Sequence, residues 1–127
     1  NSLSCLDNIL LPAKIAGRSL KEVRTHVLGL AEKLGVSNLL EKFPYQLSGG
    51  EQQRINIIRA LSLKPKLLLC DEPTGNLDSH NTELVVDLLS QLAKEQHSTL
   101  VVVTHDQNVA ARFTHQVRMR DGCIIAN

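Results

Sequence analysis

The sequence predicts an α/β fold, with helices in its first half and two parallel strands followed by a hairpin in its second half. Three observations lead to this prediction. Residues 1–64 carry apolar side chains at helical spacing, and two short apolar runs, 67–70 and 100–103, flank another amphipathic stretch. Near the end stands an Asp-Gly pair, which is typical of a hairpin turn. We therefore expect a helical part over residues 1–64 and a strand-bearing part over residues 65–127.

Helix signals divide the first of these parts. An apolar stretch over residues 8–16 predicts the first helix. Ser19 followed by Glu22 is a capping box, because the serine can accept a hydrogen bond from a backbone N–H while the glutamate reaches back. Gly35 stands where a left-handed C-cap is expected. We therefore expect a second helix between Ser19 and Gly35, and no chemistry in this region.

Polar side chains follow both apolar runs. Asp71 and Glu72 come after the run 67–70, and His105 comes shortly after the run 100–103. Runs without polar alternation predict strands buried on both faces, and strand, helix and strand in this order imply a right-handed parallel crossover. Ligands of open parallel sheets bind beyond the carboxyl ends of strands. We therefore expect the two acids and the histidine at one sheet edge.

Asp71 and Glu72 suit a metal ion and a water molecule. Strand alternation points their side chains in different directions, so one carboxylate is expected to hold Mg²⁺ while the other polarises an attacking water. Acids at strand ends also serve as helix caps or solvated loop residues, and a lone histidine such as His105 is more often structural. For each residue alone both interpretations stay open. The remaining histidines are expected at the surface: His26, His80, His97 and His115.

A glycine pair opens the third predicted helix. In Ser48-Gly49-Gly50 the glycines remove side chains where a ligand approaches the backbone, and the free N–H groups and helix dipole favour an anion. Ser48 also forms a second capping box with Glu51, so a plain capped helix explains the same residues. The longer run over residues 47–54, LSGGEQQR, is much more specific.

Composition excludes several classes of protein. Fourteen Lys and Arg stand against thirteen Asp and Glu, a net charge of +1 that is too neutral for a general nucleic-acid binder. No apolar run approaches the roughly 18 residues of a membrane span. The three cysteines are odd in number and far apart, which argues against a disulfide scaffold or zinc site and favours a reducing cytoplasm.

Four motifs, in this order and spacing, resemble those of the ATP-binding subunits of ABC transporters. Residues 47–54 resemble the signature, 67–71 Walker B with Glu72 in the place of the catalytic glutamate, 75–78 the D-loop, and 104–106 the switch histidine. The sequence of residues 71–78, DEPTGNLD, is similar to the same segment in the branch of the family that includes the lipoprotein-releasing ATPase LolD, the MacB-type exporters and the FtsE cell-division ATPase. This resemblance implies a partial P-loop NTPase (RecA-like, ABC) fold.

The resemblance also implies residue roles and partners. Asp71 would hold Mg²⁺, Glu72 would polarise the attacking water, and His105 would contact the γ-phosphate of ATP. The residues implied to bind ATP or to face the opposite subunit of a head-to-tail dimer are Ser48, Gly49, Gly50, Gln52 and Asp78. The implied partners are a second nucleotide-binding domain and transmembrane permease subunits, with no nucleic acid. The implied location is cytoplasmic, at the inner face of the cell membrane.

One motif of the family is missing from these 127 residues, which contain no GxxxxGK(S/T). We therefore expect a C-terminal portion of an ABC ATPase that does not turn over ATP by itself. The alternative is a non-enzymatic partner that lends its signature motif in trans to a complete ATPase. A third hypothesis, a DNA-repair or ribosome-acting relative, is disfavoured by the neutral charge, by the short spacing between signature and Walker B, and by the sequence of residues 72–78, EPTGNLD.

The missing motif also bears on stability. The family fold is expected to place the P-loop strand between the strands 67–70 and 100–103, so each would lack its partner here. Unpaired buried backbone groups are costly. We therefore expect the isolated chain to be unstable, rearranged or oligomeric through those edges.

Overall fold

The computed structural model describes residues 3–74 and 79–125. Its elements are α1 (Cys5–Ile15), α2 (Leu20–Lys33), two 3₁₀ turns (Ser37–Leu39 and Pro44–Gln46), α3 (Gly49–Leu61), β1 (Leu67–Asp71), α4 (Ser79–Glu95), β2 (Thr99–Val103), α5 (Gln107–Ala110), β3 (Arg118–Arg120) and β4 (Cys123–Ile125). The predicted α/β class, with helices first, parallel strands next and a hairpin last, is confirmed.

Local sequence explains where the first helices begin and end. α1 starts at Cys5, earlier than predicted, because the Ser4 hydroxyl accepts a hydrogen bond from the backbone N–H of Asp7 at 3.1 Å. α2 is followed by Gly35 with a φ of 66°, a left-handed conformation that favours glycine. The predicted C-cap of α2 is confirmed.

The helices enclose an aliphatic core. Its largest fully buried side chains are Ile9, Val27, Ile58, Leu61, Leu89 and Leu92. Burying one such side chain stabilises a fold by about 1.5–3 kcal/mol. The cluster takes side chains from both predicted parts of the chain, including Leu68 of β1. The boundary between residues 1–64 and 65–127 stays a prediction.

β1 and β2 are direct neighbours in a parallel sheet. Their register pairs Leu67 with Thr99 and Asp71 with Val103, and α4 lies between the strands in the chain. The expectation that each strand would lack its partner in this chain is therefore wrong. A helical connection of this length lets consecutive parallel strands lie side by side, so each forms its ladder with the other.

Among residues 3–74 and 79–125, the helical core covers one face of this sheet and leaves the other exposed, so the prediction of strands buried on both faces is also wrong. Leu68 is 5% exposed, whereas Leu69 is 70% exposed. Cys70 and Leu100 pack with Leu68 against the helical core. The exposed face carries the apolar residues Leu67, Leu69, Val101 and Val103. In the described part of the chain the helical core packs against the face that carries Leu68. Because side chains alternate along a strand, every second one lies on the exposed face.

The chain closes with the predicted hairpin. β3 and β4 pair antiparallel with Arg120 opposite Cys123. Between them Asp121 and Gly122 have φ values of 49° and 77°, the positive pair that a type I′ turn requires. Among the described helices, none has the length and apolar character needed to cross a bilayer.

Candidate functional site

Two strand ends come together at the carboxyl edge of the parallel sheet. The backbone N–H of Glu72 donates to the carbonyl of Val103 at 2.9 Å, which continues the β1–β2 ladder beyond Asp71. Thr104 and His105 follow Val103 directly. The predicted meeting of Glu72 with His105 at one sheet edge is therefore confirmed. We call Asp71, Glu72, Thr104 and His105 the strand-end site.

Both oxygens of the Glu72 carboxylate are held by the segment that follows β2. Oε1 lies 2.9 Å from the backbone N of His105 and 2.7 Å from its Nδ1. Oε2 accepts from the Thr104 hydroxyl at 3.3 Å. Glu72 itself has a φ of 44°, a left-handed conformation that is uncommon for a residue with a side chain. Surrounding contacts must therefore hold it in place, and these hydrogen bonds are contacts of that kind.

These contacts favour the ionised form of Glu72, which a glutamate already adopts at neutral pH. The hydrogen bond from the His105 side chain lowers the pKa of the Glu72 carboxyl, and the backbone of His105 and the Thr104 hydroxyl act in the same direction. Glu72 is therefore ionised at neutral pH. An ionised carboxylate only accepts hydrogen bonds, so Nδ1 of His105 must carry a proton. The His105 side chain is 88% exposed, which leaves its ring open to a ligand.

Asp71 stands apart from this network. It ends β1 on the exposed face, at the same alternation as Leu69, whereas the Glu72 carboxylate turns to residues 104 and 105. Among the residues described, no three His, Cys, Asp or Glu side chains converge as a metal cage. A single aspartate still fits Mg²⁺, because this ion is usually bound by one or two carboxylates together with phosphate oxygens and water.

The predicted capping box opens α3. The Ser48 hydroxyl accepts from the backbone N–H of Glu51 at 3.3 Å, and the Glu51 carboxylate accepts from the N–H of Ser48 at 2.8 Å. The hydrogen bond from the Ser48 backbone N–H is the largest cause that lowers the pKa of the Glu51 carboxyl. Ser48 and Gly49 are exposed at this helix end.

Gln52 points back toward the turn that precedes α3. Its amide nitrogen donates to the carbonyls of Pro44 at 3.1 Å and Leu47 at 3.2 Å. The two amide protons therefore hold the backbone that carries Ser48, and the amide oxygen is the group left for a ligand.

The strand-end site and the start of α3 have separate hydrogen-bond partners. Ser48 bonds with Glu51, whereas Glu72 bonds with Thr104 and His105. The structure thus assembles Glu72 with His105 and does not join them to Ser48 by a hydrogen bond. The predicted D-loop, 75–78 with Asp78, lies outside the described residues.

Sequence reasoning missed two contacts. Thr104 was given no role, although a hydroxyl directly before a strand-end histidine is a usable signal. His26 was expected at the surface but is half-buried, and its Nε2 lies 3.3 Å from the carbonyl of Leu61. That expectation is wrong because the apolar face of α2 turns inward against α3, which helical spacing alone does not show.

Comparisons with known proteins agree with one another. The model of the ABC transporter family matches residues 2–75. The lipoprotein-releasing system ATP-binding protein LolD of Shewanella denitrificans is 47% identical over 121 residues, which are 95% of this chain and 52% of the relative. The macrolide export ATP-binding/permease protein MacB of Rhodopirellula baltica is 49% identical over 123 residues, 95% of this chain and 18% of the relative.

A solved structure is also similar. The dimeric structure of a bacterial ABC transporter cassette superposes with a TM-score of 0.72 at 42% identity, over 86% of this chain and 49% of that one. The chain spans about half the length of the lipoprotein-releasing relatives it matches.

Proposed function

The chain belongs to the ABC transporter family, in the branch of the LolD and MacB ATPases, and from that premise we propose that it forms the signature helix and the hydrolytic strand ends of an ATP-driven transporter subunit. The observation that carries the proposal is the Glu72 carboxylate, held ionised at the end of β1 by the two residues that follow β2. The reaction we propose is ATP hydrolysis, in which a phosphoryl group is transferred to water.

Glu72 is the residue we assign to the attacking water. An ionised carboxylate accepts a hydrogen bond from water and orients it, and positioning of this kind supplies much of the catalysis in phosphoryl transfer. His105 is the companion group. Nδ1 stays on Glu72, and Nε2, on the exposed side of the ring, is the nitrogen left to contact an oxygen of the γ-phosphate.

Asp71 is the residue we assign to Mg²⁺. Its carboxylate ends β1 one residue before Glu72 and supplies the hard oxygen ligand that this ion prefers. When bound, Mg²⁺ neutralises charge on the phosphate oxygens. Asp71 and Glu72 thus keep separate tasks, because the Glu72 oxygens already face residues 104 and 105.

The start of α3 is the part we assign to ATP held by an opposing subunit. Ser48 presents an exposed hydroxyl, and the first N–H groups of the helix, at Gly49 and Gly50, have no partner within the helix and can bind an anion. Gln52 keeps its amide oxygen for the nucleotide while its nitrogen holds the preceding turn. Asp78 is proposed to cross the interface between the two subunits.

The partners we propose are a second nucleotide-binding domain and transmembrane permease subunits, at the inner face of the cell membrane. The residues 1–64 would form the helical subdomain and 65–127 the C-terminal part of the ATPase core. A GxxxxGK(S/T) motif is absent from these 127 residues, so we propose that this chain alone does not turn over ATP. The phosphate-binding loop would come from residues outside these 127, in the same polypeptide or in a complete ATPase to which this chain lends its signature motif in trans.

The test is ATP hydrolysis by the product of the complete reading frame that contains these 127 residues. We expect Glu72→Gln, which preserves size but removes the charge, to lower kcat by about 100-fold or more with little change in KM. Glu41→Gln, at an exposed glutamate, is the matched control and should keep full turnover. Wild-type turnover by the Glu72→Gln protein would overturn the assignment. Turnover only after a complete ATPase is added would favour the trans-acting partner.

A further inference from the structure

We propose that Thr104 is the positioning residue of the strand-end site, whose hydroxyl sets the orientation of the Glu72 carboxylate. The inference deepens the proposed function and rests on it only where hydrolysis is concerned. Thr104 lies between the end of β2 and His105, and its side chain is half-buried. Its hydroxyl touches two groups, Oε2 of Glu72 at 3.3 Å and the backbone N of Asp106 at 3.1 Å.

The chemistry of the two neighbours fixes the direction of both hydrogen bonds. The backbone N–H of Asp106 can only donate, so the Thr104 oxygen accepts there. The ionised Glu72 carboxylate can only accept, so the single hydroxyl proton of Thr104 is directed to Oε2. A threonine hydroxyl has one proton and free rotation about its C–O bond. The amide of Asp106 favours a rotation that aims this proton at Glu72.

Different residues therefore form hydrogen bonds with the two carboxylate oxygens. His105 holds Oε1 through its backbone N–H and Nδ1, and Thr104 holds Oε2. Rotation of the carboxylate about its last torsion, which is broad for glutamate, would break at least one of these contacts. With both contacts present, the plane of the carboxylate is fixed. The direction of the lone pairs that a water can reach is therefore fixed as well.

Thr104 also joins the carboxylate to α5. Asp106 caps this short helix, because its Oδ1 accepts from the backbone N–H of Asn108 at 2.8 Å. The hydroxyl thus connects Glu72 to a capped helix end. If Thr104 served only the cap of α5, its contact with Asp106 would be enough. The experiment must therefore test the contact with Glu72 separately.

The test compares Thr104→Val, which keeps the shape but loses the hydroxyl, with Thr104→Ser, which keeps the hydroxyl. Thr104→Ala is a second hydroxyl-free variant in case the valine does not fit. Thr99→Val, on the exposed face of β2, is the matched control. The first readout is the ¹H–¹⁵N spectrum of the chain at one fixed pH, in which the His105 amide reports its bond to Glu72 and the Asp106 amide its bond to Thr104.

We expect Thr104→Val and Thr104→Ala to shift both amides and Thr104→Ser to restore both, while Thr99→Val shifts neither. A shift of the Asp106 amide without a shift of the His105 amide would show that Thr104 acts only at the cap of α5, which would overturn the proposal. Amide shifts in Thr104→Ser like those in Thr104→Val would overturn it too.

The second readout is turnover of the complete protein. We expect Thr104→Val to lose about tenfold in kcat without a change in KM, and Thr104→Ser to recover to within about twofold. Wild-type protein without turnover, both alone and with a complete ATPase, would defeat the proposed function, while the amide shifts would still decide the role of Thr104.

Discussion

His105 Nδ1 lies 2.7 Å from Glu72 Oε1, although 33 positions separate the two residues in the chain. The parallel pairing of β1 with β2 closes that separation, because it aligns the ends of the two strands. The contact makes the pKa of Glu72 depend on His105, and this dependence can be measured without any nucleotide.

Removing the imidazole should raise the pKa of Glu72. In His105→Ala the largest cause of the lowered pKa is lost, so the pKa of the carboxyl should return toward its ordinary value. Because the folded-state pKa lies below the unfolded one, the stability that Glu72 contributes is present above about pH 4.5 and is lost as the pH falls through the folded-state pKa. Titration of the ¹³C carboxyl signal of Glu72 measures this pKa. His115→Ala, at an exposed histidine, is the control, and an unchanged pKa in His105→Ala would contradict the contact.

Two adjacent leucines of β1 should differ sharply when truncated. Leu68→Ala opens a cavity in the core and should lower the free energy of unfolding by about 2–4 kcal/mol. Leu69→Ala removes a side chain that is 70% exposed and should cost less than about 1 kcal/mol. Urea unfolding of the two variants side by side provides the comparison. Equal losses would show that the second face of the sheet is covered in solution.

His26 should make stability fall in mild acid. Burial lowers the pKa of His26, and Lys64 adds to the effect. The unfolded chain therefore binds a proton near pH 6.5 before the folded chain does, so the free energy of unfolding should decrease as the pH falls from 7 through the folded-state pKa. The glutamates with lowered pKa titrate below about 4.5, outside this window.

The measurement is urea unfolding at several pH values between 5 and 7.5. His26→Gln, which can still reach the carbonyl of Leu61, should flatten the profile, whereas His115→Gln should leave it as in the wild type. A profile that stays sloped in His26→Gln would assign the effect to another group.

Arg112 should anchor the segment after α5 mainly through Asp87. Its Nε and a terminal nitrogen lie 3.1 and 2.9 Å from the two oxygens of Asp87, a bidentate pair, whereas Glu83 is 3.7 Å away. Asp87→Ala should cost about 0.5–1 kcal/mol at low salt and less at high salt, and Glu83→Ala should cost close to nothing. Thermal unfolding at two salt concentrations tests the pair. A larger loss from Glu83→Ala would reverse the assignment.

The sequence predicted the parts of the site that depend on near neighbours. Ser48 and Glu51 are three residues apart, and their capping box formed as expected. Asp121 and Gly122 marked the hairpin turn for the same reason, since the backbone angles of a turn follow from the residues in it. The order of the strand ends also predicted that Glu72 and His105 lie at one edge of the sheet.

The sequence by itself thus determined the class of fold, the starts of α2 and α3 and the turn, because each follows from interactions within a few residues. Only the tertiary structure decided that β1 pairs directly with β2, that Leu69 stays exposed while Leu68 is buried, and that Thr104 shares Glu72 with His105. These outcomes depend on which distant segments lie against each other. Periodicity describes the faces of one element, and packing between elements chooses which face is covered and which side chains meet.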